Sequence, residues 1–504
     1  MSDLFAPIER NAAFDPEKTA IRFADSSLSY AALAERVQSV AAGLLRDGVK
    51  PGDRVALLAY NHPDFLTLLY AAARIGAILT PLNWRLADAE LAYALSHAEP
   101  VLLAHDAAFA ETAARLMPRG RRRLIGEGGD LGAAPEPLAD TRDPAAAVLM
   151  VYTSGTTGRP KGALLSSAAL IGNALQSHHM HQMTAADHVL AVLPMFHVGG
   201  LNIQSTPALM AGATLTIHER FDPAATLAAI VADRPSLTVL VPATLTALLA
   251  LPEFAAADLS ALRAVTTGST IVPEELIAAF EARGIRVLCV YGATETCPIA
   301  AYDRAGLTRT VGGTGRAGLL ARLRIIDDGG KPVASGVHGE IAVAGAVFSG
   351  YFRDEAATRA GLVDGFVRTG DIGSLSADGT LTVHDRKKNM IVSGGENIYP
   401  AEVERVLGTH PAVAECAVVG KSDPRWQEVP VAFIVASAAV TADEITAHCA
   451  ASLARYKVPR DVRFVASLPR TALGKVQHEL LRAEAAGAVD PESARGLAPA
   501  AAKS

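Results

Sequence analysis

The sequence predicts an α/β fold: a large N-terminal domain of two α/β sheet subdomains plus a β-rich subdomain, followed by a small α+β C-terminal domain. Three observations lead there. Apolar segments of strand length alternate with helical stretches in two successive runs, one beginning near Tyr30 and the other near Ala147. After about Gly312 the pattern changes to short strands separated by Gly/Asp turns, as in Asp327-Asp328-Gly329-Gly330 and Ala377-Asp378-Gly379. Beyond Arg386-Lys387-Lys388 lie about 110 residues with two helical stretches and three or four strands, the size of a small domain. A chain of 504 residues also exceeds what one core serves, so more than one domain is expected on length alone.

In the first run a helical stretch ends at Asp47, a Pro51-Gly52 turn follows, and a strand over 55–59 leads to a helix ending at Ile75 and strands near Ile78 and Val101. Such alternation argues for a parallel sheet. The second run places strands at 147–152, 189–193, 237–241, 262–266 and 285–291, each leading into a loop of Gly, Pro, Thr, Ser or His. Open α/β sheets bind ligands beyond the carboxyl ends of their strands, which makes those five loops candidates for one shared site. The helix before the last strand is well punctuated, with Pro273 and Glu274 at its start and Gly284 at its end.

The densest chemical signal is Tyr152-Thr153-Ser154-Gly155-Thr156-Thr157-Gly158-Arg159-Pro160-Lys161-Gly162, directly after an apolar run. Glycines let backbone N–H groups turn inward, Ser and Thr hydroxyls add donors, and the lysine adds positive charge, so the segment suits a polyphosphate. A flexible Gly/Ser/Thr loop would account for the glycines but not for the ordered hydroxyls ending in Arg159-Pro160-Lys161-Gly162. The common phosphate loop is also a poor match, because Gly155 and Gly158 are three apart and Lys161 is followed by Gly162.

Bulk properties exclude several classes. A formal charge of −6 and a pI of about 6.2 give no basic footprint for nucleic acid or a membrane surface. Cys289, Cys297, Cys416 and Cys449 show neither zinc spacing nor a disulfide framework, so a reducing cytoplasm is the expected setting. Segments 188–218 and 235–252 lack Asp, Glu, Lys and Arg, but Pro194, Gly199, Gly200, Pro207 and Gly212 interrupt the first and Pro242 the second. No integral membrane segment is therefore expected. Residues 1–7 lack the basic start and apolar run of a signal peptide, and the last twenty or so residues read as a loose Ala/Pro/Gly tail.

Further motifs are weak singly. Tyr291-Gly292-Ala293-Thr294-Glu295 sits where a strand ends, with Thr294 as a hydroxyl donor and Glu295 able to hold Mg²⁺; a turn with an exposed Glu is the plainer account. Asp371, in Arg368-Thr369-Gly370-Asp371, could accept from the two hydroxyls of a ribose, although turn aspartates are common. Pro194-Met195-Phe196-His197 joins an aromatic wedge to a histidine, and a lone His is more often structural than catalytic. His178-His179-Met180-His181 lacks further ligand spacing and is not read as a metal site.

Taken in order, these segments resemble the adenylate-forming superfamily of acyl-CoA synthetases, firefly luciferases and nonribosomal-peptide adenylation domains. The resemblance covers nearly the whole chain and is closest to the acyl-CoA synthetases. It extends to Asp385-Arg386-Lys387-Lys388-Asn389-Met390-Ile391, to Ser393-Gly394-Gly395-Glu396-Asn397-Ile398-Tyr399-Pro400, and to Pro469-Arg470-Thr471-Ala472-Leu473-Gly474-Lys475. It implies a cytoplasmic, ATP- and Mg²⁺-dependent ligase of the kind found in fatty acid metabolism. A carboxylate attacks the α-phosphate of ATP to give acyl-AMP and pyrophosphate, and the thiol of coenzyme A then displaces AMP.

By the same resemblance Thr153, Ser154, Gly155, Thr156, Thr157, Gly158 and Lys161 hold the β- and γ-phosphates, and Thr294 holds the α-phosphate. Glu295 holds Mg²⁺, Asp371 and Arg386 hold the ribose, and Gly268, Tyr291 and Gly292 complete the nucleotide site. Lys475 bridges the substrate carboxylate and the α-phosphate. Residues 1–386 form the large domain and residues 389–504 a small mobile one, with a loose tail from about 485. The hinge at 387–388 centres on Lys388. Rotation about it brings Gly394 and Gly395 to the site for the thioester step, with Trp426 beside the pantetheine and His197 as a gate. The acyl pocket draws on Val198, Gly199, Thr267, Val290, Cys297 and Pro298. No arginine in these stretches offers a partner for a second carboxylate, although Arg263 or Arg286 could reach in. Two departures stand out: Asn389 where an acid is frequent, and Gln427 where glycine is frequent. The alternatives are acyl delivery to a carrier-protein phosphopantetheine and, from another class, an ATPase or a non-catalytic nucleotide-binding protein. The expected partners are a small carboxylic acid, ATP and CoA, with a homodimer as a candidate assembly.

Overall fold

The computed structural model describes residues 3–126, 128–129, 131–134, 143–153, 160–270, 272–393, 396–470 and 475–487. Two compact units are present. The first comprises Met1–Arg324, Ala342–Thr369 and Leu375–Thr382, and the second comprises Ile325–Ile341, Gly370–Ser374 and Val383–Ser504.

Two sheets organise the first unit. One runs in the order Gly350–Tyr351, Lys161–Ser166, Ala147–Thr153, Ile78–Pro81, Arg54–Leu58, Leu102–His105, Arg121–Leu124. Its pairings are parallel from Ala147–Thr153 to Arg121–Leu124, whereas Lys161–Ser166 is antiparallel to both its neighbours. The other runs Arg316–Ala317, Ala301–Tyr302, Arg286–Tyr291, Ala264–Gly268, Leu237–Val239, His188–Ala191, Thr214–Ile217, Thr19–Phe23, Ser26–Ser29, and is parallel from Arg286–Tyr291 to Thr19–Phe23. The five strands of the second sequence run are thus divided between two sheets. Ala147–Thr153 joins the strands of the first run, between Ile78–Pro81 and Lys161–Ser166, with its apolar middle, Val148 to Val151, buried.

Helix Pro63–Ile75 shows how the local sequence sets these elements. The His62 side chain accepts from the Asp64 N–H at 3.1 Å, Pro63 occupies the first turn, and Gly76 ends the helix at φ 73°. Phe65, Leu66, Leu68 and Leu69 are all buried, and each contributes about 1.5–3 kcal/mol by leaving water. They belong to a continuous apolar cluster that also contains Leu149 and Val151 of one sheet and Val189 and Leu288 of the other.

After Ala317 the chain forms the short strands Arg322–Ile326, Gly339–Ala344, Phe366–Leu375 and Leu381–Arg386, with turns closed by Gly330 N–H to Asp327 O and Gly379 N–H to Ser376 O. In the second unit, strands Glu396–Ile398, Ile391–Ser393, Gln427–Ala436 and Val413–Asp423 pair in that order, and Asp461–Phe464 pairs with Gln427–Ala436. Period-2 alternation separates its two cores: Val418, Ala432 and Ile434 pack with Val403, Leu407 and Ile445, while Ala417, Val419, Val431 and Phe433 pack with Leu481 and Ala485. The described residues beyond Lys388 hold three helices, Pro400–Gly408, Ala442–Ser452 and His478–Ala485, and five strands, against the two helical stretches and three or four strands expected. The added helix is short, eight residues, and its polar sequence hides a narrow apolar stripe.

No helix among the described residues is long and apolar enough to cross a membrane. Cys289, Cys297 and Cys449 are buried, Cys416 is half-buried, and all four are free thiols.

Candidate active site

The segment read as a phosphate cradle is flanked by two antiparallel strands, Ala147–Thr153 and Lys161–Ser166. Thr153 pairs with Lys161, Tyr152 with Gly162 and Val151 with Ala163, so the two flanks leave together from adjacent antiparallel strands. Ser154, Gly155, Thr156, Thr157 and Gly158 lie outside the described residues, as do Gly394 and Gly395. Lys161 sits on the flank with its Nζ 3.8 Å from Asp354 Oδ2 and 5.3 Å from the centre of the Tyr351 ring. Tyr351 pairs with Ala163 in register and donates its hydroxyl to Glu295 Oε1 at 2.7 Å. Burial, reinforced by the Glu295 charge, pushes the phenol pKa up, so it stays a donor across the working range. Lys161 and Glu295 are therefore linked through one aromatic ring. Sequence reasoning missed Tyr351; its only signal was the aromatic pair after Gly350.

Glu295 itself lies in a one-turn helix, Thr294–Thr296, beyond strand Arg286–Tyr291. Thr296 Oγ1 accepts from Ala293 N–H at 2.8 Å and donates to Ala293 O at 3.1 Å, which locks the turn. Gly292 is required there sterically, since an added Cβ would collide with the Pro298 carbonyl and approach Thr296 Oγ1 to 2.9 Å. Thr294 is buried, as are Tyr291 and Cys297. Gly268 ends the neighbouring strand, in register with Val290, and Thr267 is in register with Cys289. A Cβ at Gly268 would strike the Val290 carbonyl, so the two strands approach each other closely there.

The Pro194–His197 loop is held from below by Asn61, whose amide donates to Leu193 O at 3.0 Å and to His218 O at 3.1 Å and accepts from Met195 N–H at 2.8 Å. His197 Nδ1 accepts from Gly199 N–H at 3.1 Å and so starts the short helix Val198–Gly200. A π-helical turn, Leu201–Ser205, follows. Beneath it, His181 Nδ1 meets Ser177 O at 2.8 Å, while its Nε2 faces Thr266 Oγ1 at 2.7 Å and the Gln204 amide at 3.1 Å. A carbonyl can only accept, so the proton is on Nδ1 and the ring is neutral; burial pushes its pKa down to about 4. The histidine run is structural in this geometry: His178 bonds Pro207 O and His179 bonds Tyr302. Arg263 forks onto Asp187 at 3.0 Å and also donates to the His181 carbonyl, and Arg286 donates to Leu307 O. Both arginines weighed as partners for a second carboxylate are thus engaged elsewhere.

In the second unit Arg386 Nε lies 2.7 Å from Asp371 Oδ1, and Asp371 is buried. Lys475 shares their environment. Burial holds its pKa below the ordinary lysine range, with Arg386 pushing the same way and Asp371 opposing. Its position follows from two anchors. Arg470 and Val476 form an antiparallel bridge around residues 471–475, and helix His478–Ala485 docks through Leu481 and Ala485, its end capped by Arg463 at 2.8 and 3.1 Å. Lys388 pairs with Glu479 at 3.1 Å. Asp385 accepts from Ala401 N–H at 2.9 Å and from Asn389 at 3.3 Å, a contact the more frequent acid at 389 could not donate. Trp426 is exposed beneath Arg425, and Gln427 adopts φ 72°, which explains why glycine suits that position.

Three parallel strands thus deliver His197, Thr267–Gly268 and Thr294–Glu295 from their carboxyl ends, and a hairpin delivers Lys161. The chain belongs to the AMP-binding enzyme family: residues 8–352 match the AMP-binding enzyme domain and residues 402–475 its C-terminal domain. It is similar to the indoleacetate–CoA ligase of Aromatoleum aromaticum, with 47% identity over 497 residues covering 94% of this chain and 96% of the relative. The feruloyl-CoA synthase of an Amycolatopsis species is 40% identical over 472 residues, covering 93% and 96%. Among solved structures, ATP-bound MatB from Rhodopseudomonas palustris superposes with a TM-score of 0.89 at 31% identity, covering 96% and 98%. The protein is an AMP-forming carboxylate–CoA ligase, with ATP and CoA as substrates.

Proposed function

We propose that the acid is an aryl-substituted monocarboxylate. The observation that carries this reading is the engagement of Arg263 by Asp187, which leaves the Val198, Gly199, Thr267, Val290, Cys297 and Pro298 stretches to supply small, apolar and hydroxyl groups and no fixed cation. Relatives named for indoleacetate and ferulate support the aryl character. Pyrophosphate release with indole-3-acetate, ferulate, benzoate and short-, medium- and long-chain fatty acids tests it. A preference of more than about tenfold in kcat/KM for the aryl acids is expected, since a well-matched apolar pocket discriminates by 1–3 kcal/mol; preference for a fatty acid or a dicarboxylate overturns it.

Both partners of the first step are anions, so charge must be neutralised and the groups held in line. In our reading Thr153, Lys161 and the residues between them grip the β- and γ-phosphates, Thr294 holds the α-phosphate, and Asp371 and Arg386 hold the ribose. Gly268, Tyr291 and Gly292 line the rest of the nucleotide site. Lys475 bridges the carboxylate and the α-phosphate. Mg²⁺ fits Glu295: Tyr351 occupies Oε1 and leaves Oε2 for a cation, and no group of three or more His, Cys, Asp or Glu among the described residues makes an all-protein cage. One carboxylate plus substrate phosphates is the usual Mg²⁺ arrangement, and the ion supplies charge neutralisation there. For the thioester step we assign a rotation of residues 389–504 against 1–386 about Lys388, with Gly394, Gly395 and Trp426 on the CoA side and His197 as the gate. A cytoplasmic setting and a homodimer complete the proposal.

A further inference from the structure

Helix Asp88–Ala98 grips both flanks of the phosphate-loop hairpin with one face. Tyr93 and His97, one turn apart, stack with ring centres 6.0 Å apart and planes within 12°. Tyr93 donates its hydroxyl to Pro160 O at 3.2 Å, on the exit flank. On the entry flank, the Tyr152 hydroxyl lies 2.9 Å from Ala94 O and 2.9 Å from His97 Nδ1. A phenol has one proton and the Ala94 carbonyl can only accept, so that proton goes to Ala94 and His97 Nδ1 carries the hydrogen donated to Tyr152. Phe352 closes the rack: its N–H bonds Gly162 O at 2.8 Å and its ring meets His97 edge-on at 5.6 Å. The span between Tyr152 and Pro160 is therefore set twice, by the strand register and by this helix.

We propose that Tyr93 and His97 are positioning residues for pyrophosphate, fixing the opening of the loop between Thr153 and Lys161 through Tyr152 and Pro160. The inference rests on the assignment of that loop to the β- and γ-phosphates. His97 stays neutral near pH 7, because burial, seconded by Arg353, lowers its pKa.

Steady-state acyl-AMP formation, with thioester formation from supplied acyl-AMP and CoA as the parallel assay, tests the proposal in His97→Ala, Tyr152→Phe and Tyr93→Phe. The last keeps the ring and removes only the bond to Pro160. Each is expected to raise the KM for ATP about twofold to tenfold, the worth of one net hydrogen bond, with kcat/KM for thioester formation unchanged. His97→Asn, which restores a donor, is expected to recover most of the loss. An unchanged ATP KM in all three variants overturns the proposal, and so does a parallel fall of both half-reactions with the melting temperature. Lys161→Ala separates the two assignments: if it raises the ATP KM while the three variants do not, the clamp alone fails; if it too leaves the ATP KM unchanged, the loop assignment fails as well.

Discussion

The Tyr351 hydroxyl donates to Glu295 Oε1 at 2.7 Å while the face of the same ring receives the Lys161 ammonium at 5.3 Å. A single residue from a strand of two residues therefore orients an anion and steadies a cation. Tyr351→Phe keeps the ring and so keeps the Lys161 contact, but frees the Glu295 carboxylate to rotate. The expected result is a rise in the Mg²⁺ concentration needed for half-maximal acyl-AMP formation of about twofold to tenfold, the scale of one hydrogen bond, with an unchanged KM for CoA. Mg²⁺ titration of both half-reactions measures it.

In the role proposed for it, Lys475 carries its proton to bridge two anions. Its depressed pKa means that the proton leaves at a lower pH than from an ordinary lysine, so acyl-AMP formation falls on the alkaline side as pH rises through that value. Asp371→Asn removes the group that raises this pKa and moves the alkaline limb to lower pH. Arg386→Gln removes a group that lowers it and moves the limb to higher pH. Lys475→Ala abolishes the limb and slows acyl-AMP formation by about 10²-fold or more, the scale of losing a charge-stabilising donor, while thioester formation from supplied acyl-AMP survives. Rate–pH profiles of the two half-reactions show all three effects.

Gly292→Ala forces a methyl group onto the Pro298 carbonyl and Thr296 Oγ1. Overpacking of this kind costs about 1–3 kcal/mol. The Thr294–Glu295 turn absorbs the displacement, so acyl-AMP formation should fall by more than tenfold, with a lower midpoint in urea unfolding.

Gln427 holds φ 72° directly after Trp426. A side chain in the left-handed region costs about 1–2 kcal/mol, which glycine avoids at the expense of a looser unfolded chain. Gln427→Gly should stabilise the protein by about 0.5–1 kcal/mol, read as a higher urea midpoint at unchanged slope; no gain would show that the surrounding strand ends relieve the strain.

Much of this was legible because local chemistry and global placement agree. The alternation of strand and helix from Tyr30 to Ile75 is written in residue pattern, as is the punctuation of the helix Glu274–Glu281 by Pro273 and Gly284. What stayed hidden depends on contacts distant in sequence. The split of the strands into two sheets follows from which apolar faces meet, and periodicity reports only that each strand is buried. Tyr351 lies 56 residues from Glu295, and nothing in its neighbourhood marks it as a partner. The third helix of the small unit has a strongly polar sequence that conceals Leu481 and Ala485, which set Lys475 in place. Gln427 carried its own warning, because a glycine-preferring position is a statement about φ.

The hairpin register Thr153 to Lys161 bears on how such enzymes diversify. A connection between neighbouring antiparallel strands begins and ends at the same edge, so it can be lengthened, shortened or exchanged with no helix repacked. The loops that follow His188–Ala191 and Ala264–Gly268 have no such freedom, since each of these strands is parallel to both its neighbours and the chain must cross over the sheet before the next. If the segment between Thr153 and Lys161 grips the phosphates as we propose, a chimera grafted at those two residues is expected to carry that function from one scaffold to another.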